Sequence, residues 1–191
     1  TSTRATLVTS APTATRQTLV STPDRHLVFF GTETTIGTTS TQDDMYIRWS
    51  EQEDINTYAP SATNTAGTQR LADGTRIIAA IKGRDAIYIW TNHALFIMRF
   101  VGAPFVFSFQ QVGTGCGLIG KNAAVEVDGS AYWMSENGFF RYTGKLESLP
   151  CLVEDYVYDD LNTVPRNHIF AGLNNLFGEV TWFYPGSGAA S

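Results

Sequence analysis

The sequence predicts an all-β chain of antiparallel, β-propeller-like blades with little helix, and three observations carry that expectation. Short apolar runs alternate with turn signals, as half-buried strands joined by hairpins require. The same strand and turn pattern then returns further along the chain. Finally, the 191 residues are 43% hydrophobic and 13% aromatic but only 16% charged, which excludes disorder and supports a packed core.

Residues 1–41 hold 18 Ser or Thr and five charged residues. Thr18, Leu19 and Val20, then Leu27, Val28, Phe29 and Phe30, read as strands around a Pro23-Asp24 turn. Residues 1–23 are expected to be an extended Ser/Thr-rich lead-in, and 24–191 a partial propeller domain. Met45 to Trp49 reads as a further strand. Arg76 to Ile81, Ala86 to Trp90 and Ala94 to Phe100 then form three antiparallel strands, with turns at Lys82-Gly83-Arg84-Asp85 and Thr91-Asn92-His93. The pattern repeats in Asn122 to Val127, the Asp128-Gly129 turn, Ser130 to Met134, a turn at Glu136-Asn137-Gly138, and Phe139 to Tyr142. Trp90 aligns with Trp133, and Arg99 to Gly102 with Arg141 to Gly144. A further copy begins at Ile169 to Leu173 and continues through Glu179 to Tyr184. The blade-like repeats thus lie near 76–102, 121–144 and 169–184.

A unit of roughly 40 to 50 residues with three or four short strands is the sign of a propeller blade, whose open sheet must stack on neighbours to bury both faces. Propellers close with about four to eight blades, so the chain reads as the inside of a longer polypeptide; its start, TSTRATLVTS, lacks an initiator Met. The one helical stretch expected is Val153 to Leu161, with Val153, Val157 and Leu161 on one face and its acids in solvent. Tyr88, Trp90, Phe96 and Met98 are expected core.

The net charge of -5 and pI near 5.1 argue against a surface that grips phosphate backbones. The apolar runs are strand-sized, too short for a membrane helix. Cys116 and Cys151 match no metal or redox spacing and read as two half-buried thiols. Gly115-Cys116-Gly117-Leu118-Ile119-Gly120 spells the dinucleotide fingerprint, but the next residues, Lys121 to Asp128, alternate as a strand does and offer no helix that could take a pyrophosphate. Those glycines read as a tight connection between blades. His26, His93 and His168 show no metal spacing, and no nucleophile elbow marks a triad. Asp43, Asp44, Glu51, Glu53 and Asp54 flank a strand and could face a sugar, but strand-edge acids more often keep sheets from pairing edge to edge. Neither cofactor nor metal is expected.

The stretch DDMYIRWSEQEDINTYAPSATNTAGTQRLADG, the hairpin ending IYIWTNHALFIMRFVGAPFVFSF, and VGTGCGLIGKNAAVEVDGSAYWMSENGFFRYTG with the subsequent LPCLVEDYVYDDLN resemble the tail nozzle proteins of short-tailed bacteriophages, also called tail hub or tail tubular proteins. The resemblance covers roughly residues 24 to 184. Its most specific pieces are Ile47-Arg48-Trp49-Ser50, the loop carrying Gly115, Gly117 and Gly120, Tyr132-Trp133-Met134-Ser135, and Phe140-Arg141-Tyr142; Trp90 joins them through the internal repeat. The resemblance implies a structural, non-catalytic virion subunit that forms a six-fold ring below the portal and adaptor. Its expected partners are further copies of itself, the tail adaptor, tail fibre or needle proteins, and DNA in transit without tight binding. It also implies assembly in the host cytoplasm. A host-glycan-binding or depolymerising propeller domain is the alternative expectation.

Overall fold

The computed structural model describes residues 8–22 and 24–188, so Pro23 of the expected first turn lies outside the described residues. Three four-stranded antiparallel sheets succeed one another, each a simple meander in chain order, and a two-stranded sheet comes after them. The first contains β1 (Gln17–Val20), β2 (Leu27–Phe30), β3 (Tyr46–Trp49) and β4 (Gly67–Arg70). The second contains β5 (Ile77–Lys82), β6 (Ile87–Thr91), β7 (Ala94–Gly102) and β8 (Val106–Thr114). The third contains β9 (Ala124–Val127), β10 (Ser130–Ser135), β11 (Gly138–Tyr142) and β12 (Leu146–Leu149). A helix, α1 (Glu154–Asp160), then leads to β13 (Phe170–Asn174) and β14 (Glu179–Phe183). The fold is all-β and blade-like, as the periodicity predicts. β1 lies inside the expected lead-in and is the first strand of the first sheet.

Turn chemistry sets the hairpins. Asp128 and Gly129 both take positive φ, 50° and 84°, the left-handed pair that matches the twist of a two-residue hairpin. Glu126 Oε1 accepts the Gly129 N–H at 2.6 Å and locks that turn. After β6, Thr91 Oγ1 accepts the N–H groups of His93 (3.1 Å) and Ala94 (2.8 Å), so one hydroxyl closes the β6–β7 turn.

The chain divides into two compact units. The first runs to Ala72 and includes Phe100–Phe107, where β7 ends and β8 begins. Its core contains Val28, Phe30, Met45, Ile47, Trp49 and Tyr58, all buried. Phe29 meets Tyr58 edge to face at 5.5 Å, and Trp49 meets Phe107 at 5.3 Å.

The second unit comprises Asp73–Arg99 and Ser108 onward. Trp90 and Trp133, the pair matched by the internal repeat, are both fully buried and meet at 5.4 Å with ring planes 62° apart. Trp133 also stacks on Phe140 at 5.7 Å, Tyr88 meets Tyr142 at 6.0 Å, and Trp182 of β14 meets Phe139 at 5.0 Å. Every residue of β6 is buried, and Tyr88, Trp90, Phe96 and Met98 are core as expected. Helix α1 leans on this core through Val157 and Tyr158, whose hydroxyl donates to the Ser135 carbonyl at 2.6 Å. Val153, expected on its inner face, is instead exposed.

Candidate functional site

The residues that carry the family resemblance are scaffold residues in this structure. Within β3, Ile47 is buried in the core while Arg48 turns to the other face and is also buried. Its Nη1 donates to the Tyr58 carbonyl at 3.2 Å, and its Nη2 donates to the carbonyls of Thr34 (2.8 Å) and Glu33 (3.4 Å). Its Nε has no partner among the described residues. Burial pushes the guanidinium below its ordinary pKa, with Tyr46 and Glu33 pulling the other way. Trp49 donates from Nε1 to the Thr65 carbonyl at 2.9 Å, and its ring lies over Gly67 so closely that a Cβ there would stand 2.2 Å from Cζ2. Ser50 Oγ accepts the Leu27 N–H at 3.0 Å and donates to the Glu51 carbonyl, fastening the end of β3 to β2.

The glycine loop belongs to the second unit and behaves as its context predicts. Gly115 takes φ +70° in open space, whereas Gly117 lies against the backbone of Asn92 and His93 and Gly120 against the Arg166 carbonyl. The Cys116 and Leu118 N–H groups donate to the carbonyls of His93 and Thr91, both at 3.1 Å. The loop is thus spliced to the β6–β7 turn, and the N–H groups that a phosphate would need at those positions are already committed. Trp133 Nε1 donates to the Cys116 carbonyl at 2.7 Å, while Trp90 Nε1 is buried with no partner among the described residues. Arg141 pairs with Glu147 at 2.7 Å across β11 and β12, and Tyr142 is core. Cys116 is buried and Cys151 half-buried; both are free thiols, and burial raises the pKa of Cys116.

No protein-family model matches the chain, and no curated protein matches it. What the site can do must be read from its own chemistry.

Two acid–histidine clusters and a buried glutamate emerge that the sequence patterns did not signal. In the first unit, Asp24 Oδ2 meets His26 Nδ1 at 2.9 Å and accepts the Ser21 hydroxyl, while His26 Nε2 faces Thr65 Oγ1 at 3.2 Å. This has the order of an acid–imidazole–hydroxyl relay. However, His26 is wholly buried beneath Phe100 and Phe107, and Thr65 Oγ1 accepts the Gln52 N–H at 2.9 Å. The chain Ser21–Asp24–His26–Thr65 therefore joins two loops and leaves no room for a substrate at the imidazole. In the second unit, Asp73 Oδ1 meets His93 Nδ1 at 2.6 Å, and Thr114 Oγ1 and Gln111 complete the cluster. The hydrogen bond from His93 lowers the Asp73 pKa most.

Four of the five carboxylates that could have faced a sugar are instead engaged separately. Asp43 pairs with Arg70 at 2.6 Å, Asp44 with Arg16 at 2.9 Å, and Glu53 with Arg25. Asp54 accepts from Asn56 and Thr57 within its own loop. Groups of three or more His, Cys, Asp or Glu side chains able to hold a metal are absent among the described residues. No helix there is long and apolar enough to cross a membrane.

Glu33 is a buried carboxylate that holds Thr13 and Ala14. It accepts the Thr13 hydroxyl, the Ala14 N–H at 2.8 Å and the Gly37 N–H at 2.7 Å. Burial pushes its pKa up, but those hydrogen bonds outweigh it and the net shift is downward from 4.5. A depressed carboxylate stabilises the fold above its unfolded pKa, and the contribution is lost as pH falls through the folded value. Unfolding of the chain should therefore become easier below about pH 4.5, with Asp43, Asp54 and Asp73 contributing in the same direction. Glu33→Gln should flatten the acid limb of a urea-midpoint profile; an unchanged limb would show that Glu33 is not a principal titrating group.

Proposed function

We propose that this chain is a structural, non-catalytic subunit of a bacteriophage tail nozzle, contributing consecutive propeller-like blades to a six-fold ring through which DNA passes without being gripped. The observation that carries the reading is what the resemblance residues do: Arg48, Trp49, Gly117, Gly120 and Trp133 all serve packing and loop splicing. A ring wall needs stiff repeated sheets joined by short connections, and buried packing residues of this kind supply that stiffness. The net charge of -5 suits a conduit, since acidic walls repel phosphates. Further copies of the chain, an adaptor and a fibre or needle protein are its partners in this reading, and the virion is its location.

The glycan-binding or depolymerising alternative has less support, because Asp43, Asp44 and Glu53 are each engaged with an arginine. Electron microscopy of native particles containing the chain tests the proposal. Six-fold density in line with a phage tail is the expected result. Degradation of host polysaccharide, abolished by substituting Glu51, Glu53 and Asp54, would replace it with the alternative.

A further inference from the structure

We propose that Glu33 is the catch of an acid-released strap: protonating its carboxylate frees Thr13 and Ala14 from the first unit while β1 to β4 stay folded. The strap leads into β1 and lies along the residues that follow β2. Arg16 N–H and the Thr15 hydroxyl both donate to the Phe30 carbonyl at 3.0 Å, and the Thr32 hydroxyl donates to the Ala14 carbonyl at 2.8 Å. Thr32 and Glu33 are left with no exposed surface.

Donors from two separate segments converge on the one carboxylate. Oε1 accepts the Thr13 hydroxyl and the Ala14 N–H from the strap, and Oε2 accepts the Gly37 N–H from the loop after β2. Hydrogen bonds to an ionised acceptor are roughly twice as strong as neutral ones. Protonation removes that advantage and turns one oxygen into a donor, which a backbone N–H cannot accept. The strap has little else to hold it. Thr13 is exposed, Ala14 and Thr15 are half-buried, and such small side chains bury little apolar surface. Segments docked mainly by polar ties open at a lower free energy than the sheet beneath them.

The charges around the catch are of known sign and already engaged. From β3, Arg48 Nη2 donates to the Glu33 carbonyl, and the guanidinium attracts the carboxylate. Where the strap joins β1, Arg16 is paired with Asp44 at 2.9 Å; past the loop, Asp43 is paired with Arg70 at 2.6 Å. The loop itself, Thr34 to Gln42, carries no charge. In the docked state the donors hold the Glu33 carboxyl below its ordinary 4.5, whereas an undocked carboxyl returns to it. Docking is therefore strongest above that value and is lost as pH falls through the docked one.

Amide hydrogen exchange across the full chain, corrected for the intrinsic pH dependence of exchange, separates local release from unfolding. The Ala14 and Gly37 amides should share one titration and exchange at least about tenfold faster below it, the size expected for losing a charge-assisted hydrogen bond, while the β2 amides keep their protection. In Glu33→Gln the Ala14 amide should exchange fast already at neutral pH and show no titration. Thr13→Ala, at an exposed position, removes one donor and should move the release upward toward pH 4.5; Asp44→Asn should leave it in place. Exchange of Ala14 and Gly37 only together with β2 overturns the proposal. So does a release that survives Glu33→Gln, that Thr13→Ala leaves unmoved, or that disappears in Asp44→Asn.

Discussion

Gly117→Ala should unfold the second unit at markedly lower urea than the unaltered chain, with a loss of about 3 kcal/mol, the upper range for forcing an atom into a packed site. The new Cβ would stand 2.3 Å from the carbonyl carbon of Asn92 and 2.4 Å from its oxygen and from the His93 nitrogen. These are backbone atoms of a turn with little freedom to retreat. The Thr91 hydroxyl bonds the His93 and Ala94 N–H groups, Asn92 Oδ1 accepts the Thr75 N–H at 2.8 Å, and the Cys116 and Leu118 N–H groups clamp the turn from the other side. Gly120→Ala should be similarly severe, since its Cβ would lie 2.2 Å from the Arg166 carbonyl oxygen. Gly115→Ala is the control. It meets open space at φ +70°, so only the left-handed backbone penalty of roughly 1–2 kcal/mol applies. Equal urea midpoints for the Gly117 and Gly115 variants would mean that the close approach contributes nothing.

The same loop shows how far the sequence could be read. Its letters spell a nucleotide motif, and the feature that argued against one was the alternating run from Lys121 to Asp128, within which the structure forms β9. Hairpins whose turns carry Asp-Gly or Asn-Gly, and strands rich in Ile, Tyr, Trp and Phe, were legible because turn geometry and side-chain alternation are local properties. β4 and β12 were not. Gly67–Arg70 and Leu146–Leu149 lack an apolar alternation and are strands because a neighbour offers a ladder: Tyr46–Trp49 for the first and Phe139–Tyr142 for the second. The polar centres were hidden for a related reason. Thr65 is 39 residues from His26, and Glu33 gathers donors from Thr13 and Ala14 on one side and Gly37 on the other, so no fixed spacing marks either cluster.

Arg48→Met should destabilise the first unit by about 3 kcal/mol, although methionine fills much of the same volume. The guanidinium is a cation buried among backbone carbonyls, and its Nη groups are the hydrogen-bond partners of Thr34, Glu33 and Tyr58. Removing it leaves buried acceptors unsatisfied, each costing about 1–3 kcal/mol. It also removes the positive charge whose interaction with the Glu33 carboxylate works against the burial of the guanidinium. The unpartnered Nε–H offsets part of this, since losing a buried donor without a bond is favourable. Arg48→Lys should recover little, because one compact ammonium cannot span carbonyls that the planar fork reaches from two nitrogens. In a double-mutant cycle with Glu33→Gln, the two losses should fall short of additive by more than about 0.5 kcal/mol, the margin for independent sites. Simple additivity would separate Arg48 from Glu33, and an Arg48→Met variant within about 0.5 kcal/mol of the unaltered chain, the ordinary range for surface substitutions, would leave the buried guanidinium with no role in holding these loops.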